Sequence, residues 1–90
     1  MTAAWDPLKA AANYRKHGIR FSDAETALHD PFGTTIAQED VDGETRMVVI
    51  GADHLGRILT VVHVHRGDTV RLISARHATR SERSEYEEGI

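Results

Sequence analysis

Residues 61–78, VVHVHRGDTVRLISARHA, place His63, His65 and His77 together with Arg66, Arg71 and Arg76 in what otherwise reads as two apolar strands. Cutting RNA through its own 2′-hydroxyl needs a base to take that proton, an acid for the departing 5′-oxygen, and cations for the crowded phosphorane. Histidine titrates near neutrality and serves either proton role, while arginine is always charged and grips two phosphate oxygens at once. No metal or other cofactor is required by that scheme. The residues also admit plainer accounts. His63 and His65 suit the wet face of a half-exposed strand, and alternation would equally let them chelate a metal with His54 as a third ligand. Against the metal stand the lack of cysteine and of an acidic partner at a recognised spacing. Ser74 has no G-x-S-x-G elbow around it and is set aside as a nucleophile.

The faces follow from the turn. With Gly67 and Asp68 as a two-residue turn, Arg66 pairs with Thr69, His65 with Val70, His63 with Leu72 and Val61 with Ser74. One face then carries Leu59, Val61, His63, His65, Val70, Leu72, Ser74 and Arg76. The other carries Ile58, Thr60, Val62, Val64, Arg71, Ile73 and Ala75, the more apolar set and the expected partner of the helices. A one-residue slip would exchange these faces.

The remaining elements must hold this hairpin in place. WDPLKAAANYRKHG reads as a helix, with Asp6 as N-cap, Pro7 in the first turn, Lys16 and His17 in the last, and Gly18 as the stop. FSDAETALHDP reads as a second helix started by a Ser22–Glu25 capping box and stopped by Pro31. TTIAQ is a candidate edge strand, EDVDGE an acidic turn and TRMVVIGAD a β-branched strand, leading through HLGR into the hairpin. Thr79 and Glu82 repeat the capping-box spacing for a short C-terminal helix, charged nearly all round, with Tyr86 as its one apolar anchor.

Ninety residues suffice for a single domain over 1–90, and 28% charged residues beside 40% apolar ones suit a folded, soluble chain. No apolar run is long enough to span a bilayer and no signal-peptide pattern opens the chain, so a cytoplasmic location is expected. The net charge of −3 argues against coating nucleic acid through bulk charge. Any phosphate binding must be local, and residues 57–83 hold six arginines.

The segments WDPLKAAANYRKHGIRF, ALHDP, DGETRMVVIG, GRILTVVH, RGDTVRLISARHA and SERSEYE, in this order, closely resemble the BrnT toxins of type II toxin–antitoxin systems. The resemblance implies an α+β, RelE-like fold: two N-terminal helices packed on a small antiparallel sheet of three to four strands, with a short C-terminal helix. It implies an endoribonuclease that blocks translation, neutralised by a BrnA-like antitoxin. That antitoxin would be a DNA-binding dimer, so operator DNA would be reached only through the partner. It further implies that Arg76, the arginine of the family's ISAR motif, and Arg66 act on the phosphate. Tyr86 falls where some RelE-like nucleases carry a functional tyrosine. Val64–Gly67 stands where relatives have T-E-R-G, so His65 replaces a glutamate and must take over its part or alter the activity.

Two functions are therefore expected in order. The first is a metal-independent ribonuclease toxin using Arg76, Arg66, His65 and His63, with Arg71, Lys16 and Tyr86 contacting RNA. The second is a catalytically weak binding protein in a toxin–antitoxin-like regulatory complex.

Overall fold

The computed structural model describes residues 2–89 as β1 (Thr2–Ala4), α1 (Pro7–His17), α2 (Phe21–Ala27), β2 (Thr34–Val41), β3 (Glu44–Ala52), β4 (Ile58–Arg66), β5 (Thr69–His77) and α3 (Arg80–Glu88). The strands form one sheet in the order β1-β5-β4-β3-β2. The expected meander β2–β5 is antiparallel, but β1 adds a fifth, parallel strand through Thr2–Thr69, Ala3–Val70 and Ala4–Arg71. A three-residue strand has too little pattern to announce itself, so the sheet is larger and more mixed than the three or four antiparallel strands expected.

α1 forms as its caps dictate. Asp6 accepts the amide of Leu8 at 2.9 Å, Pro7 occupies the first turn, and Gly18 closes the helix at φ +71°. α2 departs from expectation. Its N-cap is Arg20, with no side-chain cap bond, and the Ser22–Glu25 box is not used. Starting earlier lets Phe21, Ala24 and Ala27 face inward together. Burying a phenylalanine stabilises by about 2–3 kcal/mol, whereas a good N-cap contributes about 1. Packing wins.

The segment read as an acidic turn is mostly strand. Only Asp42 and Gly43 turn, at φ +50° and +77°, the pair of positive φ values that a tight Asp-Gly hairpin requires.

The core joins Ile19, Phe21, Ala24 and Ala27 to Leu59, Val61, Leu72 and Ala75, with Trp5, Ala10 and Leu28 packed around them. The helices α1 and α2 thus cover the face that contains Leu59 and Val61, the reverse of the expected assignment. A β-bulge in β5 adds Ala75 to that covered face. His63 pairs with Leu72 as expected, but Val62 pairs with Ser74 and Val61 with Ala75, leaving Ile73 as an extra residue on β5. Beyond the bulge, Ala75 points to the helices and Arg76 points away, opposite Thr60.

α3 lies on the other face. It is held through Glu82 to Thr60 and Arg76, and Gly89 approaches Thr34, so the helix crosses the row Arg76–Thr60–Ile50–Thr34. Its Thr79–Glu82 capping box forms as expected. No helix among the described residues is long and apolar enough to cross a membrane.

Candidate functional site

The bulge separates Arg76 from His63 and His65, with which the unbulged register had grouped it. His63 and His65 point to the side of α1 and α2, whereas Arg66, Arg71 and Arg76 point to the side of α3. Arg66 and Arg76 share that face but not a site. Arg76 pairs with Thr60, six residues from Arg66 along β4, a separation of roughly 20 Å.

Arg76 is committed to α3. Its two terminal nitrogens donate to both carboxylate oxygens of Glu82 at 2.8 and 3.0 Å, and the same carboxylate accepts from Thr60 Oγ1 and the Thr79 amide, each at 2.9 Å. Arg76 holds Glu82 down to a pKa of about 2, although partial burial opposes ionisation. A phosphate would have to displace this fork. Tyr86 is buried, and its hydroxyl donates to Asp30 Oδ2 at 2.5 Å, which pushes the phenol up to about 12. Burial works against Asp30's charge, but the bonds from Tyr86, Ala52 and Phe32 outweigh it and hold the carboxyl below its usual range. Arg76 and Tyr86 therefore fasten α3 to the sheet, and neither offers RNA a free group in this arrangement.

The open stretch of the arginine face lies toward the β4–β5 turn. Arg46 on β3 and Arg71 on β5 pair with the same residue, Val64, from its two sides. Their Cα atoms are about 10 Å apart across three strands, and Arg66 stands two residues further along on the same face. Val64 is only 1% exposed although the row lies four residues from α3's anchor at Thr60. Beside it Arg46 and Arg71 are half-buried and Arg66 is exposed. Among the described residues, neither Arg46 nor Arg71 has a carboxylate within salt-bridge distance, whereas Arg66 meets Glu44 Oε1 at 2.5 Å. That pair is half exposed on both sides, and such pairs contribute little, so phosphate can replace the carboxylate at small cost.

Sequence reasoning passed over Arg46 and Glu44. Both lie on β3, and only the β3–β4 register, set by the loop from Asp53 to Arg57, brings them beside Arg66 and Arg71.

On the opposite face, His63 and His65 stand edge to face with ring centroids 5.0 Å apart. They line a 280 Å³ hollow with Leu28, Asp30, Gly33, Thr35, Val49 and Val70. His65 is exposed. His63 is 6% exposed, its Nδ1 has no hydrogen-bond partner, and burial followed by the neighbouring His65 lowers its pKa, so it is neutral at pH 7. His54 is at the far end of β4, bonded to Asp23 at 2.7 Å, and so cannot act as a third ligand beside them. Among the described residues no group of three or more histidines and acids is arranged to hold a metal. Lys16 lies on α1 with Lys9 and His17 beside Ile73 and Ser74, apart from the arginine cluster.

The described residues form an α+β domain of three helices and a five-stranded mixed sheet. The crystal structure of the Brucella abortus ribonuclease toxin, BrnT, is similar at a TM-score of 0.68 and 26% identity, covering 89% of this chain and 100% of that one. Residues 5–82 match the family of BrnT ribonuclease toxins of type II toxin–antitoxin systems, and the chain belongs to that family. No curated protein matches the chain.

Proposed function

We propose that this chain is a metal-independent endoribonuclease that halts translation by cutting RNA, with the scissile phosphate held by Arg46, Arg66 and Arg71. The observation that carries this reading is the placement of Arg46, Arg66 and Arg71 on the same sheet face beside Val64, Arg46 and Arg71 without a carboxylate partner among the described residues. Glu44, on the same face against Arg66, is the proton acceptor for the 2′-hydroxyl. It stands where a carboxylate is wanted, and it makes good the glutamate that His65 replaces. His65 and His63 point to the other face of the sheet, out of reach of a phosphate held there, so the leaving 5′-oxygen takes its proton from water. Arg71 keeps its assigned contact with RNA, Lys16 contributes at most a distant one, and Arg76 and Tyr86 act by anchoring α3. A BrnA-like DNA-binding antitoxin neutralises the toxin in the cytoplasm, and operator DNA is reached through it.

The test is cleavage of single-stranded RNA by purified protein. Cleavage is expected to survive a chelator and to fall about 100-fold in Arg46→Ala or Arg71→Ala, the scale for losing one preorganised charge donor. Unchanged rates in both variants would remove the arginine cluster from the mechanism, and loss of cleavage with chelator would remove the metal-free route. Induced without antitoxin, the wild type is expected to arrest bacterial growth and Glu44→Gln to relieve the arrest.

The separation of both histidines from the arginines favours a second reading, a catalytically weak protein acting in a regulatory complex. Harmless induction of the wild type, with antitoxin binding intact, would establish it.

A further inference from the structure

On the other side of the sheet from the arginine cluster, Trp5, α1 and the start of α2 line an open hollow of about 460 Å³. That is within the range of small-ligand sites. Its walls are Trp5, Tyr14 and Phe21, with Arg15, Arg20, Ser22 and two alanines, and no acidic residue lines it. Trp5 stands edge-on to Phe21 at 6.1 Å between ring centroids. The Arg20 guanidinium lies 4.5 Å from the centre of the Tyr14 ring and donates to the Tyr14 hydroxyl at 3.5 Å. Neither Arg15 nor Arg20 has a carboxylate within salt-bridge distance among the described residues, although Arg57, Arg66 and Arg76 all do.

We infer that this hollow is a nucleotide-binding subsite, taking one base with its phosphate. The Tyr14–Arg20 stack offers a flat, cationic platform for the base, a surface on which unstacked bases are commonly held. Arg15 and the edge of Arg20 supply donors for the phosphate oxygens. On a chain of net charge −3, a hollow with two uncompensated guanidiniums and no acid is a local anion site. An acidic peptide would satisfy the charges but not the flat platform, so a nucleotide is favoured over a protein segment. The subsite extends the ribonuclease reading to a second RNA contact but does not depend on cleavage, because it lies on the opposite face from Arg46, Arg66 and Arg71.

Trp5 is the only tryptophan and lines the hollow, so its fluorescence reports occupancy directly. With the whole chain, adenosine 5′-monophosphate is expected to quench Trp5 saturably. Adenosine alone and inorganic phosphate alone should each bind about tenfold more weakly, since each forfeits one of the two contacts. Arg20→Gln and Tyr14→Leu should weaken the nucleotide about tenfold with unchanged circular dichroism and melting. Arg46→Ala should leave it unaltered, which separates failure of this subsite from failure of the cleavage site. A 2′-O-methyl tetranucleotide that binds tighter than the mononucleotide assigns the subsite to an RNA strand, and equal binding assigns it to a free nucleotide. Absence of saturable quenching, or equal binding by the Arg20→Gln variant, overturns the proposal. Quenching by the purified antitoxin but by no nucleotide overturns it in favour of a protein contact.

Discussion

Glu82 is the residue on which the attachment of α3 depends, and Glu82→Gln measures that attachment. The carboxylate gathers both terminal nitrogens of Arg76, the Thr60 hydroxyl and the Thr79 amide, while closing the helix's capping box. Its fall from 4.5 to about 2, caused chiefly by Arg76, corresponds to about 3 kcal/mol in favour of the charged form. Arg76 is 38% exposed, so solvent screening reduces the contribution to roughly 2 kcal/mol. The substituted amide retains size and one acceptor but no charge, and melting is expected to fall by about 10 °C at pH 7. The sign with pH follows from proton counts. Between pH 4.5 and about 2 the unfolded chain carries a proton on Glu82 that the folded chain lacks, so this stability is complete above pH 4.5 and is lost as pH falls toward 2. The gap in urea midpoint between wild type and variant should therefore close across that window. Other carboxylates titrate there too, which is why the difference between the two proteins is the readout. A variant that melts within about 2 °C of wild type at pH 7 (about 0.5 kcal/mol or less), or a gap as wide at pH 2.5 as at pH 7, would refute the reasoning.

Three further substitutions probe the scaffold. Asn13 is buried and donates to the carbonyls of Ile19 and Ala75 while accepting the Ala75 amide, so Asn13→Ala strands three backbone groups. It should cost about 3 kcal/mol and speed hydrogen exchange at Ala75; slow exchange there would contradict it. At Gly51 an added Cβ would meet the Ala27 carbonyl oxygen at 2.4 Å, so Gly51→Ala must push α2 off β3, with a loss of about 3 kcal/mol in urea unfolding. A loss smaller than about 1 kcal/mol would mean that α2 yields freely. His63→Leu removes a buried, unpartnered nitrogen and should be neutral or stabilising at pH 7.5. Because the fold lowers the His63 pKa, wild-type stability is complete above about 6.5 and falls below it, so the variant's advantage should grow by pH 5.5. A constant difference between the two pH values would show that His63 is not the titrating group.

Residue types alone marked the caps of α1 and α3, because Asp6, Pro7, Gly18, Thr79 and Glu82 act within a few residues of where they stand. The turn at Gly67–Asp68 was legible for the same reason, and so was the pairing of His65 with Val70 and of His63 with Leu72 next to it. The order of the motifs pointed to the family that the match over residues 5–82 shows. Local chemistry failed at α2, where the burial of Phe21 outweighed a well-formed capping box.

Tertiary structure decided what shares a face with what. One extra residue, Ile73, inverts the phase of β5 and sends Arg76 to the side opposite His63 and His65. A bulge leaves no mark in a period-two pattern read from one strand, since it exists only against the partner strand. In the same way Arg46 and Glu44 joined Arg66 and Arg71 through the β3–β4 register, and Arg20 came to rest on Tyr14 only because α1 and α2 meet at Gly18. The sequence by itself determined which chemical groups are present, where its helices and turns are capped, and to which family it belongs. Which of those groups meet was settled by packing between distant segments, whose energies depend on neighbours that no local window contains.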